Sequence, residues 1–428
     1  MLTLSKYKNL ESVQIFQGLL LLIVSRMLSL KKMLSLLIFA AIILLMVIPL
    51  SPLPMASAAK ITVPTDFPTI QGAIDAASQG DTIRVLPGTY NEQITISKSL
   101  TLLGSGAKST IINAPAILDT NVLGLTYLVQ VNSGAKVTMK GITITGGSSC
   151  DVFFGVTVLD SATLNLYSAD ITGCIQVGLI SGTTRTATPQ VGHATIINTN
   201  VQGYQDAGII ARAPGTTLTV SKSNIVADEN SPIDGPGGIT VGSGATGNIH
   251  HNKISGNLCN NPTCGPDFLT QFQGYAIVTF DAEAGTIISH NEIFGNDGGI
   301  FLIGSSGCCK VDANKLKDNR FFGIVVQDGD QKVSYNKISN GNIGVLAAAI
   351  FADTTASLVH GKIVDVTTPV QELSCCGFTA EIVTVPSNSF HTAEVKSSQQ
   401  LSDTQEFVKK KFAQMEDISI LSSPISPF

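Results

Sequence analysis

The chain has 428 residues, of which 44% are hydrophobic, 13% charged and 6% aromatic, with 40 glycines and no tryptophan. This length and apolar content exclude a disordered chain and a collagen-like fibre. The formal net charge is −5, and no basic run is longer than Lys409–Lys411. Because such a chain lacks a long run of basic residues that could bind phosphate groups, we do not expect nucleic acid as a partner.

The first 58 residues have the features of an export signal. The basic head Met27–Met33 precedes the apolar run 34–50, and small residues then suit cleavage after Ala58. Met27 is an alternative start, and a retained anchor is the competing interpretation, because the apolar run is long enough to cross much of a bilayer. We predict that residues 1–58 are a signal peptide region. The mature protein would be secreted, at the cell surface or periplasmic, with no transmembrane segment after cleavage.

The eight cysteines are an even number, which suits disulfide formation outside the cytoplasm. Cys259 and Cys264 bracket a short turn that could close on itself. The adjacent pairs Cys308-Cys309 and Cys375-Cys376 are expected to bond outward, because a bond between neighbours forces a strained ring. Free buried thiols and a metal site are the alternatives, and the connectivity is left open.

A short motif recurs along the chain. The anchors Ile293, Leu316 and Ile338 are 23 and 22 residues apart, and an apolar residue lies five positions before each anchor. Nine segments share this offset: Val137/Ile142, Leu166/Ile171, Ile196/Val201, Val220/Ile225, Ile249/Ile254, Ile288/Ile293, Val311/Leu316, Val333/Ile338 and Leu358/Ile363. Short β-rich runs at this period lack the hairpin turns of an up-and-down barrel. They predict a parallel β-solenoid, whose equivalent residues stack about 4.8 Å apart.

An asparagine two positions before the anchor recurs as Asn252, Asn291, Asn314 and Asn336. Stacked coils would place these side chains in one column, where each amide can bond to the one above and the one below. We therefore predict an amide ladder at this turn.

The start of the mature chain has a different pattern. Ile70, Ala73, Ile74 and Ala77 lie at helical spacing before Gly80. A short amphipathic helix here would cover the open end of the solenoid, which otherwise exposes unpaired backbone groups.

Three segments, 61–77, 80–92 and 100–106, resemble the opening of right-handed parallel β-helix proteins of the pectin lyase-like superfamily. Pectinesterases and periplasmic proteins of the NosD type share this opening. The resemblance implies an all-β fold, a single-stranded right-handed parallel β-helix (solenoid) with a short N-terminal capping helix, over residues 59–385. A C-terminal cap or flexible tail would follow over 386–428. The resemblance is weak for activity, because this scaffold carries lyases, hydrolases, esterases and adhesins.

Pectinesterase activity is not expected. Gln205 and Asp206 resemble the family's Gln-Asp pair, but the second Asp motif is missing, and a chain without Trp lacks the family's Arg-Trp segment. These two residues are interpreted as ordinary turn residues.

Two adjacent coils carry insertions at the same turn. The distance from anchor to following strand is eight residues in one coil (209 − 201), then 14 (239 − 225) and 23 (277 − 254). Insertions in a solenoid project on one face and commonly form the wall of a binding groove. The candidate catalytic acids of this groove are Asp228, Glu229, Asp234 and Asp267. Such acids could supply an acid and base for glycosidic cleavage or bind Ca²⁺, and solvated loop acids are the alternative.

The longer insertion also offers candidates for sugar contacts. Gln271, Phe272 and Tyr275 provide amides and ring faces, and Asp281 and Glu283 follow on the next turn. The absence of Trp lowers this expectation, and loop packing is the alternative.

His251 and His290 share one position, three residues before the anchor, in successive coils, with His250 adjacent. Stacked imidazoles could share copper or zinc, which a NosD-type function would need. Surface or ladder histidines are the alternative, since the next coils carry Ala313 and Tyr335 there.

Three functions remain open from the sequence. The first is a secreted β-helix that binds or processes an extracellular polysaccharide, as a lyase or glycoside hydrolase if it is an enzyme. The second is a non-enzymatic structural or adhesion protein that contacts an envelope component. The third is a metal-linked periplasmic maturation role. Ca²⁺ is the cofactor that the acidic loops suggest.

Overall fold

A computed structural model describes residues 58–148, 150–304, 307–375, 377–384 and 394–398, together with six single residues between Gly18 and Ile38. The chain divides into two compact units, Met1–Ser57 and Ala58–Phe428. The described residues of the first unit are helical and exposed. The rest of the predicted signal region, Cys376 and most of 386–428 lie outside the described residues. Over the described part of the chain, no helix has the length and apolar character needed to span a membrane.

One helix, α1 (Ile70–Ala76), and a series of short strands make up the described β-helix unit. The strands are β1 (Lys60–Val63), β2 (Thr82–Val85), β3 (Gly88–Asn91), β4 (Ile94–Ile96), β5 (Leu100–Gly104), β6 (Thr110–Asn113), β7 (Tyr127–Val131), β8 (Lys136–Lys140), β9 (Thr143–Thr145), β10 (Val152–Val158), β11 (Ala162–Tyr167), β12 (Asp170–Thr172), β13 (Ile175–Ser181), β14 (Gly192–Ile197), β15 (Asn200–Arg212), β16 (Thr217–Ser221), β17 (Asn224–Ala227), β18 (Gly237–Gly242), β19 (Thr246–His250), β20 (Lys253–Ser255), β21 (Tyr275–Phe280), β22 (Thr286–Ser289), β23 (Glu292–Phe294), β24 (Gly298–Ile303), β25 (Cys309–Asp312), β26 (Lys315–Lys317), β27 (Phe322–Gln327), β28 (Asp330–Ser334), β29 (Lys337–Ala349), β30 (Thr354–Val359), β31 (Lys362–Ser374), β32 (Ala380–Thr384) and β33 (Glu394–Ser398).

Three parallel ladders of strands surround one core. The first ladder runs β1-β2-β5-β8-β11-β14-β16-β19-β22-β25-β28-β30-β32. The short-strand ladder carries the anchors and includes β9, β12, β17, β20, β23 and β26, while the long-strand ladder includes β10, β13, β18, β21, β24 and β27. β15, β29 and β31 run through both of these ladders without a break. Each coil therefore contributes one strand to each face, and the predicted β-solenoid is confirmed.

The predicted anchors stack in register from Ile171 to Ile363, and all of them are buried. The first predicted pair is wrong by two residues. Ile171 stacks on Ile144 rather than on Ile142, and the apolar residue five positions before Ile144 is Met139. Apolar residues alternate along this segment, so a five-residue offset fits two registers and the sequence alone selects neither.

The residue three positions before each anchor adopts a left-handed backbone conformation. Its φ lies between 47° and 58° in eight described coils, at Ser168, Asn198, Lys222, His251, His290, Ala313, Tyr335 and His360. We call this set the left-handed column. The repeated turn connects the first ladder to the short-strand ladder, and most of its side chains are exposed.

The predicted asparagine ladder is present at the turn before the anchors. The Nδ2 of Asn252 donates to Oδ1 of Asn291 at 3.0 Å, Asn291 donates to Asn314 at 3.0 Å, and Asn314 donates to Asn336 at 2.9 Å. The same Oδ1 atoms accept the backbone N–H of the preceding coil, and all four residues are buried. The ladder satisfies polar groups that the packed turns remove from water.

A second amide ladder, which the sequence analysis did not predict, follows the anchors by three residues. Asn257 donates to Asn296 at 2.8 Å, and Asn296 donates to Asn319 at 3.0 Å. The hydroxyl of buried Tyr204 donates to Oδ1 of Asn257 at 2.8 Å and so extends the ladder by a phenol. The short strands are thus bounded by amide ladders on both sides in these coils.

The predicted capping helix is confirmed as α1, which buries Ile70, Ala73 and Ile74. Thr69 is its N-cap, and the carboxylate of Glu92 accepts the backbone N–H groups of Ile70 and Gln71 at 2.9 Å each. An anion at this position satisfies orphan donors and complements the helix dipole. Glu92 therefore fastens the cap to the first coils.

Three disulfides join described cysteines. Cys150 bonds to Cys174, and Cys259 bonds to Cys264 as the short turn suggested. Cys308 bonds to its neighbour Cys309, so the expectation that this pair bonds outward is wrong. Both residues are buried at the start of β25, of which Cys309 is the first residue.

Replacing Asn291 by Ala would leave a gap in the middle of the first amide ladder. The amide of Asn252 and the oxygen of Asn314 would each lose a buried partner, so we expect the free energy of unfolding to fall by about 2–4 kcal/mol. Denaturant unfolding of the variant checks this value. Asn230→Ala, at an exposed loop position, is the control, and equal losses in both variants would contradict a stabilising ladder.

Replacing Glu92 by Ala would remove the acceptor of two N–H groups in the first turn of α1. We expect the cap to lose about 1–3 kcal/mol of local stability, which hydrogen exchange at Ile70 and Gln71 would report as faster exchange. Glu229→Ala, at an exposed position, should leave those amides unchanged. Unaltered exchange in Glu92→Ala would show that other contacts hold the helix.

Candidate functional site

The two inserted loops lie against each other, as the sequence analysis expected. We call residues 228–236 and 256–274 the loop wall. Asn261 donates to Oδ1 of Asp234 at 2.6 Å and to the Pro232 carbonyl at 2.9 Å, and Asn260 donates to the Glu229 carbonyl at 2.8 Å. The insertions of adjacent coils therefore form one continuous structure.

Three of the four candidate catalytic acids form hydrogen bonds that shape these loops. Oδ1 of Asp228 accepts the N–H of Asn230 at 3.0 Å. Asp267 accepts the N–H of Leu269 at 2.9 Å and the hydroxyl of Thr270 at 2.7 Å, and Asp234 accepts from Asn261 across the loops. Carboxylates in such turns replace backbone partners that the loop lacks. Glu229 is exposed at the tip of the shorter loop.

Asp297 fastens both ends of the longer loop, and the sequence analysis did not identify it. Its Oδ2 accepts the backbone N–H of Cys259 at 2.8 Å and that of Gly274 at 3.0 Å. Its Oδ1 accepts Nε of Arg320 at 2.7 Å, and Arg320 also donates to the Cys259 carbonyl at 2.9 Å. One buried carboxylate thus holds the two points where the loop leaves and rejoins the coil.

Burial raises the pKa of Asp297, although the two backbone N–H groups and Arg320 oppose the rise. Asp297 and Arg320 both lie four residues after their anchors, in consecutive coils. The sequence contained a signal for this pair. An acid and a base occupy the same position relative to the anchor in consecutive coils, and such positions are adjacent in the folded solenoid.

The candidate sugar-binding residues lie in different environments. Tyr275 is buried, with its ring 4.8 Å from that of Phe301, and burial raises its pKa. The loop itself covers this ring, since Phe268 packs on Phe301, so a sugar cannot reach Tyr275. Gln271 is half-buried and accepts the Asp267 N–H at 3.0 Å.

The other candidates for sugar contacts keep some access to solvent. Phe272 is half-buried, and Asp281 and Glu283 are exposed outside the loop wall. Their contact with a sugar therefore remains a prediction.

The histidines of the left-handed column stack as the repeat requires. The rings of His251 and His290 are parallel within 4°, with centroids 5.0 Å apart, and Nδ1 of His250 lies 3.0 Å from Nδ1 of His251. Burial lowers the pKa of His250, and electrostatic interactions with His251, His290 and Lys222 lower it further.

Metal binding by these histidines stays a prediction. Among the described residues, one group of three potential ligands lies close together, Asp234 with Cys259 and Cys264. Both of its sulfurs are in a disulfide and so cannot serve as thiolates. The Ca²⁺ expected from the acidic loops likewise remains a prediction.

A polar groove of about 540 Å³ lies beside the left-handed column, on the short-strand face. We call it the lateral groove. It is lined by Gly106, Ala107, Lys108, Ser109, Ser168, Ala169, Asp170, Asn198, Asn200, Lys222, Ser223, Asn224, His251 and Lys253. These residues come from the 106–109 loop and from four successive coils, so the groove runs from coil to coil.

Polar residues are the majority of those that line the lateral groove, and some of their side chains are ordered by neighbours in the adjacent coil. Asn200 donates to Oδ1 of Asp170 at 2.7 Å, and Asn198 donates to the Ser168 hydroxyl at 3.0 Å. Lys108, Lys222 and Lys253 give the groove a cationic character that its one carboxylate does not cancel. Of the lining residues, the sequence pattern singled out His251 alone, because the others come from separate coils that lie far apart along the chain.

The family model described as "Right handed beta helix region" matches residues 186–361. No curated protein matches the chain. Among solved structures, the periplasmic alginate epimerase AlgG is 13% identical, with a TM-score of 0.46, covering 81% of this chain and 84% of its own. An alginate lyase from Paenibacillus sp. is 15% identical, with a TM-score of 0.40, covering 75% and 99%. The complex of XylC with xylose is 9% identical, with a TM-score of 0.42, covering 77% and 86%.

Similarity at these identities and TM-scores carries no information on the function of this chain. The handedness of the matched model agrees with the parallel crossovers between ladders, which are right-handed in nearly all proteins. The described coils therefore form a right-handed parallel β-helix.

Proposed function

We propose that this protein is an exported β-helix protein that binds an extracellular polysaccharide in the lateral groove. The observation that carries the proposal is the groove itself, which crosses successive coils and is lined by side-chain amides and hydroxyls. Its volume of about 540 Å³ lies within the range of ligand sites, roughly 300–1,000 Å³.

The chemistry of the lining suits sugars. Each sugar hydroxyl both donates and accepts, and an asparagine amide offers two donors and an acceptor in one plane. Asn198 and Asn200 lie in one coil, and Asn224 stacks on Asn200 in the next, so two adjacent sugars of one chain would meet similar amides. A polymer laid along the groove would also meet polar side chains of the flanking coils, such as Asp170 and Lys253.

The hydrogen bonds made by the acids of the loop wall favour a function in binding over one in cleavage. Asp228, Asp234 and Asp267 each accept hydrogen bonds that hold their own loops, which leaves less of each carboxylate for proton transfer to a substrate. Export agrees with the three disulfides of the described residues, since such bonds persist in oxidising compartments.

The loop wall remains the alternative place for a sugar. Phe272 is its partly accessible aromatic ring, and the wall is held rigidly by a disulfide and by Asp297. The lateral groove is favoured because its polar groups line an open space, whereas those of the loop wall bond largely to one another.

The double variant Asn200→Ala/Asn224→Ala tests the groove. We expect the dissociation constant of a bound polysaccharide to rise about tenfold, because two hydrogen-bonding side chains leave the lining. Calorimetric titration of the purified full-length protein, with the best binder from a panel of neutral and acidic polysaccharides, measures this change.

Phe272→Ala is the matched control, and it should leave the dissociation constant unchanged. Thermal unfolding of each variant verifies the fold. Loss of binding in Phe272→Ala with none in the double variant would move the site to the loop wall. No binding to any polysaccharide would refute the proposed function.

A further inference from the structure

Five lysines follow one another along the short-strand face. Lys222 belongs to the left-handed column, and Lys253, Lys315, Lys337 and Lys362 each directly precede an anchor. We call these five residues the lysine strip. The parallel register stacks Lys315 on Lys337 and Lys337 on Lys362, with Glu292 between Lys253 and Lys315. At about 4.8 Å per coil, the strip is about 24 Å long.

Four of the five lysines have no salt-bridge partner among the described residues. Lys253 pairs with Glu292 at 3.7 Å, but Lys222, Lys315, Lys337 and Lys362 form no ion pair within the described part of the chain. Like charges at directly stacked positions repel and destabilise the sheet. An anion from outside the molecule would relieve this repulsion.

The clustering contrasts with the chain as a whole, whose formal net charge is −5. Two exposed lysines outside the strip are paired, Lys310 with Asp312 at 3.8 Å and Lys317 with Asp318 at 3.3 Å. The strip concentrates positive charge that the linear sequence distributes over 141 residues (362 − 222 + 1).

Ring side chains of the left-handed column accompany the strip. Tyr335 is 58% exposed and stacks on His360, with centroids 5.1 Å apart, two residues before Lys337 and Lys362 respectively. His251 and His290 form the equivalent stack beside Lys253. The strip therefore offers cations together with hydroxyl and imidazole groups that can bond to sugars.

We propose that the lysine strip binds an anionic glycan, a polysaccharide with a carboxylate or sulfate on successive sugars, lying parallel to the solenoid axis. This inference rests on the proposed function, because it names the charge class of the polysaccharide and extends its path beyond the lateral groove. Lys222 and Lys253 line that groove, so the two surfaces are continuous. The rise of an extended pyranose chain is close to the coil spacing, so one charged sugar can meet one coil.

The shape of the strip favours a single extended polymer over other polyanions. A membrane surface would be met best by a broad patch, but the stack of Lys337 on Lys362 is one lysine wide, and Lys317 beside Lys315 is paired with Asp318. Duplex nucleic acid curves away from a straight row of charges and would engage only part of it. These alternatives are included as probes in the test.

The test measures binding of the full-length protein to polygalacturonate, dextran sulfate and unmodified dextran at low and high NaCl. We expect tight binding of the two anionic polymers that weakens with salt, because bound cations release counterions. The variant Lys315→Gln/Lys337→Gln/Lys362→Gln should bind them at least tenfold more weakly and with a smaller salt dependence. Anionic oligomers spanning about two coils should bind more weakly than those spanning about six.

Two controls separate charge from structure. Lys310→Gln/Lys332→Gln removes exposed charges from the first ladder and should not alter binding, and Lys315→Arg/Lys337→Arg/Lys362→Arg should retain it. Full binding in the triple Gln variant would overturn the lysine strip as a site.

The remaining outcomes distinguish this inference from the proposed function. Equal binding of dextran and the anionic polymers would overturn the inference and leave the proposed function standing. Equal binding of single-stranded DNA or anionic phospholipid vesicles would overturn the assignment to glycans. Binding of no polysaccharide would refute both.

Discussion

The stacking of equivalent residues in successive parallel coils is the interaction on which the whole structure depends. Each position is repeated about every 4.8 Å, so any property of a side chain is multiplied along the axis. The apolar anchors become a continuous core, and the buried asparagines become ladders whose members each satisfy the next. The stability of the fold is then a sum of contacts between neighbouring coils, and a substitution at one position weakens the contacts with the coils on both sides.

The same repetition builds the candidate binding surfaces. A left-handed turn at one position of each coil directs a series of polar and ring side chains outward, and it brings His251 onto His290 and Tyr335 onto His360. The lateral groove arises because amides recur in consecutive coils beside this turn. A surface with such translational order is suited to a ligand that is itself a repeating polymer.

The two inserted loops interrupt the repeat, so they are held by contacts other than the stacking of coils. The longer loop is closed by a disulfide between Cys259 and Cys264, and Asp297 holds its two ends. Burial of the Asp297 carboxylate is costly unless it is paired and hydrogen-bonded, and Arg320 with two backbone donors provides those partners. The acids of the loops are used in the same way, for local structure.

The sequence predicted features that depend on period and missed those that depend on neighbours. The anchors, the amide ladder at Asn291 and the helix α1 follow from spacing and residue type alone. The register of the first predicted anchor pair could not be derived in this way, because Ile142 and Ile144 fit the pattern equally well.

Features that combine residues of different coils were hidden by their distance in the sequence. The pair of Asp297 and Arg320 and the lysine strip become visible only when coils are laid in register. The bond between Cys308 and Cys309 was missed for a different reason. Neighbouring cysteines were expected to bond to other partners, and the sequence does not show the local backbone geometry that lets these two pair. Local geometry of that kind is not encoded in a periodic pattern.

Hydrogen exchange of the full-length protein with and without a bound polysaccharide would locate the binding surface. We predict slower exchange at 168–170, 198–200, 222–224 and 251–253, which form the lateral groove, with the loop wall unchanged. Protection confined to 228–236 and 256–274 would contradict a binding site on the short-strand face.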